Sequence, residues 1–81
     1  MKTLLNTIYD FMEGTSDMSA PMMRALLDAE LPLLDNPELF TEEITLLVEA
    51  TVDGFERTQL ISILPTIEMN LPSHSVGGLN A

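Results

Sequence analysis

The sequence predicts an all-α protein, a small bundle of four to five short helices followed by an extended or flexible C-terminal tail. Hydrophobic residues make up 46% of the 81 residues, which is ample for a core. They recur at helical spacing in segments that proline or glycine separates. No two segments alternate as paired β-strands do. We therefore predict a helical domain over residues 1–65 and a tail over residues 66–81.

The first helix is predicted over residues 3–13. Leu4, Leu5, Ile8 and Phe11 recur at the spacing of one helix face, and polar residues fall mostly on the other side. Gly14 is typical of the residue that follows a helix end.

The second helix is marked at both ends. Ser19 is a candidate N-cap, and Pro21 lies in the first turn, where its missing N–H is harmless. Pro32 is expected to end the helix.

Methionines are concentrated near this second helix, at Met12, Met18, Met22 and Met23. Such a cluster fits either a flexible core or an adaptable contact surface. We favour the core, because leucines continue the same stripe.

The residue pattern in the middle of the chain predicts a short helix or single turn and then a longer helix. Asn36 and Pro37 start the short one, which runs through Phe40. Thr41 is expected to cap the longer helix, which ends at Asp53 and Gly54.

The last helix is predicted from about Phe55 to Leu64, with Pro65 as its stop. In the tail, Ile67, Met69 and Leu71 alternate with polar residues. A single strand has no pairing partner within this chain, so these three residues are candidates for adding a strand to another protein.

Net charge is the strongest feature of the composition. Thirteen acidic residues oppose three basic ones, which gives −10. Phosphate binding requires several Lys or Arg side chains, so we expect no direct contact with nucleic acid. Anionic membrane surfaces are disfavoured for the same reason. No apolar stretch approaches the ~20 residues that a membrane span needs.

The sequence contains no recognisable catalytic or metal site, and we expect no enzyme activity and no cofactor. Cysteine is absent, which excludes thiol chemistry and is compatible with the cytoplasm, our expected location. The single histidine, His74, lies between two serines in the predicted tail, where no rigid scaffold holds a catalytic base. No metal-binding spacing of carboxylates or histidine is found.

What remains is binding to another protein, for which the residues leave two hypotheses open. In the first, an acidic surface binds a basic surface on the partner, as in small inhibitors carried by phages or mobile elements that block a host nucleic-acid-handling protein. The candidate residues form the densest acidic stretch: Asp28, Glu30, Asp35, Glu38, Glu42 and Glu43.

In the second hypothesis the charge serves only solubility. Apolar helix faces and the C-terminal tail would then dock the protein as a structural subunit, adaptor or assembly factor, or as a homodimer. A variant of this hypothesis is a carrier or precursor peptide whose tail a modifying enzyme recognises. The net charge exceeds the magnitude of about 2–8 that solubility usually requires, and we favour the acidic inhibitor for that reason.

Overall fold

A computed structural model describes residues 3–71 and confirms the all-α bundle. Four α-helices follow one another: α1 (Leu4–Glu13), α2 (Ala20–Glu30), α3 (Pro37–Ala50) and α4 (Gly54–Asn70). A 3₁₀ turn over Leu31–Leu33 follows α2. No strand occurs between residues 3 and 71.

The boundaries of α1 match the sequence pattern. The Thr3 hydroxyl accepts a hydrogen bond from the Asn6 N–H and starts the helix. Gly14 ends it with a left-handed backbone (φ 80°), and its N–H donates to the carbonyls of Asp10 and Phe11. Local capping therefore fixes both ends.

The start of α2 is also as predicted. The Ser19 hydroxyl accepts from the Met22 N–H, and Pro21 lies in the first turn. Of the methionines, Met12 and Met23 are buried in the core, whereas the Met22 side chain is 55% exposed. Met18 is partly buried and packs against the core, so the core interpretation holds for every member of the cluster except Met22.

A single helix, α3, replaces the two elements predicted in the middle of the chain. The Asn36 side chain accepts from the Leu39 N–H and caps the whole helix. The prediction that Thr41 is an N-cap was wrong, because Thr41 lies inside α3, is buried and donates its hydroxyl to the Pro37 carbonyl at 2.8 Å. A threonine that satisfies its hydroxyl four residues back does not interrupt a helix.

The prediction that Pro65 ends the last helix was also wrong. α4 continues through Pro65 to Asn70, so the first part of the predicted tail is helical; residues 72–81 lie outside the described range. Proline removes one intrahelical hydrogen bond, but the turns after it bury Ile67 and Leu71. Burying two such side chains stabilises the fold by about 1.5–3 kcal/mol each, which offsets that loss.

The core is centred on α4. The backbones of α2 and of α1 both approach α4 closely, whereas α3 packs mainly through long side chains. α3 contributes Phe40, Ile44 and Leu47 to the core. The most deeply buried side chains come from all four helices: Ile8, Met23, Leu27, Ile44, Leu60, Ile63 and Ile67.

No helix within the described part of the chain is both long enough and apolar enough to traverse a lipid bilayer.

Candidate functional site: an acidic surface and a groove

The six acidic candidates occupy three consecutive parts of the fold. Asp28 and Glu30 lie in the last turns of α2, Asp35 lies in the connection, and the three glutamates Glu38, Glu42 and Glu43 lie in the first half of α3. All are exposed except Glu43, which is half-buried. The Asp28 carboxylate accepts a hydrogen bond from the Asn70 amide at 2.8 Å, which ties the end of α2 to the end of α4.

Both arginines of the described chain are turned toward backbone carbonyls. Arg24 on α2 donates to the Ser62 carbonyl of α4 at 3.1 Å. Arg57 donates to the carbonyls of Val48 and Thr51, at 3.2 and 2.9 Å. The arginines therefore support the fold, while the carboxylates dominate the outer surface.

Large apolar side chains are exposed in the same region as the acidic candidates. Leu33 follows α2, and Leu39 and Leu46 lie on α3; each is more than half exposed. Glu42 and Glu43 lie between the two α3 leucines in the sequence. The outer surface of α3 therefore combines apolar contact area with negative charge.

The three apolar residues proposed for the tail separate into different environments. Ile67 and Leu71 belong to the hydrophobic core, and only Met69, at 83% exposure, faces solvent. The hypothesis that these residues add a strand to a partner was wrong for this structure, because they lie on and directly after a helix. Sequence alternation here reflects chance within a helical segment.

A groove of about 320 Å³ lies where α1, α3 and α4 meet, and no sequence pattern indicates it. We define the α1–α3–α4 groove by the residues that line it. These come from the end of α1, from the end of α3 with the turn after it, and from the first turn of α4: Tyr9, Met12, Glu13, Leu47, Ala50, Thr51, Val52, Asp53 and Glu56.

The groove combines apolar surface with three carboxylates and no basic residue. Tyr9 and Val52 are exposed apolar members, with Val52 74% exposed. Glu13, Asp53 and Glu56 supply the negative charge, and all three are exposed. These residues come from separate segments of the sequence, so only the fold brings them together.

Asp53 occupies the N-cap position of α4 but makes no capping hydrogen bond through its side chain. Aspartate at this position ordinarily accepts from an N–H of the first turn. The carboxylate therefore remains available at the groove. The C-terminal, negative end of the α3 dipole and the N-terminal, positive end of the α4 dipole both lie at the groove. Their effects oppose each other, so the full charges of the carboxylates dominate the local electrostatic potential.

Two contacts fix the shape of this region. Arg57 holds the end of α3 through its two carbonyl partners and thereby positions the turn that carries Val52 and Asp53. The Phe55 ring lies against Gly14, where a Cβ atom added to the glycine would be 3.2 Å from the ring. The groove is thus bounded by connections that local interactions restrain.

Metal chemistry finds no support in the described part of the chain. No group of three or more His, Cys, Asp or Glu side chains in residues 3–71 is arranged to hold a metal ion. His74, the only histidine of the sequence, lies outside the described residues.

Comparison with known proteins finds no matching family model, no matching curated protein and no matching solved structure.

Proposed function

We propose that this protein is a non-enzymatic, acidic binding module that attaches to a basic surface of another protein. The observation that supports the proposal best is that the fold leaves the acidic side chains at the surface and turns the arginines toward backbone carbonyls. All thirteen carboxylates lie between residues 10 and 68, and none is buried. The same range contains only two arginines, both half-buried and donating to backbone carbonyls, so two positive charges face thirteen negative ones and the surface stays strongly acidic.

A nucleic-acid-handling protein is the partner class that this charge favours. Such proteins bind phosphates through clusters of Lys and Arg, and a rigid protein with outward carboxylates competes for the same clusters. The activity we propose is inhibition by occupying that surface, in the cytoplasm, as for small inhibitors of phage or mobile-element origin. The primary contact region is the acidic stretch from Asp28 to Glu43.

One observation favours a second candidate function, a structural subunit or adaptor. Leu33, Leu39 and Leu46 expose apolar area beside the acidic stretch, and exposed apolar area often marks an interface. A homodimer through this surface is disfavoured, because two copies would bring glutamates of like charge together. The same surface could instead dock on a larger assembly.

Affinity capture from a lysate of the source organism tests the proposal when it is followed by competition. We expect the captured partner to be released by high salt and displaced by duplex DNA, because charge screening and phosphate competition remove the same contacts. The variant Glu38→Gln, Glu42→Gln, Glu43→Gln should capture less of it.

A matched control replaces the neighbouring leucines instead of the charges, as Leu39→Ser with Leu46→Ser. Capture that survives high salt and DNA, but is lost in the leucine variant, would contradict the acidic-inhibitor function and favour the adaptor.

A further inference from the structure

The α1–α3–α4 groove suits a particular kind of partner segment. Exposed apolar surface from Tyr9 and Val52 lies beside the carboxylates of Glu13, Asp53 and Glu56. A purely acidic ligand would be repelled here, and a purely apolar one would desolvate carboxylates without pairing them.

We propose that this groove binds a short basic segment of the partner protein in which one or two apolar side chains are flanked by Lys or Arg. The apolar side chains would contact Tyr9 and Val52, while the flanking cations would pair with the three carboxylates. The inference rests on the proposed function, because it assigns to the basic partner a second and more specific point of attachment, distinct from the stretch Asp28 to Glu43.

Charge complementarity identifies the occupant. None of the residues that line the groove is basic, so no group within it offsets the carboxylates. Arg57 lies beside the groove, where its guanidinium donates to the carbonyls of Val48 and Thr51; its single positive charge offsets part of the charge of the three carboxylates and leaves the groove negative. A second copy of this chain is a poor occupant, since the charge of each copy is strongly negative.

The dimensions argue for a peptide rather than a small molecule. A volume of about 320 Å³ is at the low end for ligand pockets, which span about 300–1,000 Å³ and enclose most of their ligand. Here Val52, Asp53 and Glu56 are all exposed, so the groove would cover only part of a bound group. An open groove with charged edges receives side chains from a longer chain that continues beyond it.

The experiment titrates the ¹⁵N-labelled full chain with defined peptides and follows amide chemical shifts. The probe is the capped peptide Gly-Lys-Lys-Leu-Leu-Lys-Lys-Gly. In two matched peptides, Ser replaces both leucines or Glu replaces all four lysines. We expect the probe to shift the amides of Tyr9, Ala50 and Val52, the serine peptide to bind more weakly and the glutamate peptide not to bind.

Two charge variants locate the site. Neutralising the groove, as Glu13→Gln with Asp53→Asn and Glu56→Gln, should weaken binding of the probe about tenfold, a loss of about 1.4 kcal/mol shared among three exposed charge pairs. Neutralising Glu38, Glu42 and Glu43 in the same way should weaken it less than about threefold. Val52→Ser should weaken binding of the probe, whereas Leu39→Ser should leave it unchanged. All of these positions are exposed or half-buried, and circular dichroism verifies folding.

The outcomes distinguish the two proposals. Equal weakening by both charge variants, or shifts confined to the first half of α3, overturns the groove and leaves the acidic module in place. Binding of the glutamate peptide overturns the assignment of a basic occupant. Failure of the probe to bind even at low salt and millimolar concentration overturns the groove alone, because the acidic module is tested separately by capture at low and high salt and by competition with duplex DNA.

Discussion

The α2–α4 half of the molecule and the α3 side differ in how they are held and in what they expose. Between α2 and α4 the backbones lie close, and Arg24, Asp28 and Asn70 add hydrogen bonds across the interface. α3 instead packs through longer side chains and leaves Leu39 and Leu46 exposed. The first region is held by close packing and hydrogen bonds, and the second exposes leucines beside carboxylates.

Substitutions in the last turns of α4 should have the largest effect on the free energy of unfolding. They test whether residues 66–71 belong to the closely packed α2–α4 half of the molecule. Ile67 is fully buried, so Ile67→Ala should lower the free energy of unfolding by about 2–5 kcal/mol. Met69→Ala, two residues away at an exposed site, should change it by less than about 0.5 kcal/mol. Urea unfolding followed by circular dichroism measures both.

Equal, small effects at the two positions would show that this segment is not part of the core and would return it to the predicted tail.

The Arg24 contact is expected to give the next largest effect. Pro65 lacks the N–H that would bond to the Ile61 carbonyl, and Arg24 donates to the Ser62 carbonyl in the same turn. Arg24→Met should therefore lower the free energy of unfolding by about 2 kcal/mol. Pro65→Ala restores the amide donor to the neighbouring Ile61 carbonyl and removes the steric constraint of the proline ring on this turn, so it should reduce that loss.

A double-mutant cycle with Arg24→Met and Pro65→Ala measures this coupling, for which we expect about 0.5 kcal/mol or more. Additive effects within error would mean that Arg24 supports α2–α4 packing independently of the proline.

Arg57 offers a smaller test on the opposite side of the comparison. Its two carbonyl partners are at the end of α3, where water can replace the lost donor, so Arg57→Met should lower the free energy of unfolding by about 1 kcal/mol. Hydrogen exchange should accelerate first at Thr51 and Val52. Acceleration spread evenly over α2 and α4 would show instead that Arg57 supports the whole fold.

Charge repulsion should give the smallest effect. Raising sodium chloride to about 0.5 M screens the acidic surface and should raise the free energy of unfolding by less than about 1 kcal/mol. The variant Glu38→Gln, Glu42→Gln, Glu43→Gln should respond less steeply, because part of the repulsion is already removed. Thermal unfolding over a salt series would reveal a flat or falling dependence if repulsion is unimportant.

Local signals in the sequence were sufficient for the helix starts. Thr3, Ser19 and Asn36 each accept a hydrogen bond from an N–H three residues later, an interaction that requires only neighbouring residues. The two largest helix-boundary errors, at Thr41 and Pro65, arose where burial against distant elements outweighs a local signal. A third, smaller error is the end of α3, which lies at Ala50 and not at the predicted Asp53 and Gly54. A residue pattern alone does not reveal that Ile67 meets the core.

The exposure of the acidic candidates was predictable from the sequence, because carboxylates are seldom buried without a charged or hydrogen-bonded partner. The groove was not, since Glu13 lies at the end of α1 whereas Asp53 and Glu56 lie at the start of α4, and they line one groove only after folding. The unused capping position of Asp53 could not be seen either, because aspartate before a helix ordinarily predicts a cap.

The contact between Gly14 and Phe55 affects which substitutions this chain tolerates. Gly14 combines a left-handed φ of 80° with close packing, because a Cβ atom added there would lie 3.2 Å from the Phe55 ring. A side chain at this position would therefore meet backbone strain and would require the ring to shift. Gly54 shares the left-handed backbone (φ 90°) but has only the flexible Glu56 carboxylate within 4 Å. Over evolutionary time the first glycine should therefore tolerate substitution less than the second, where backbone strain acts without a close ring.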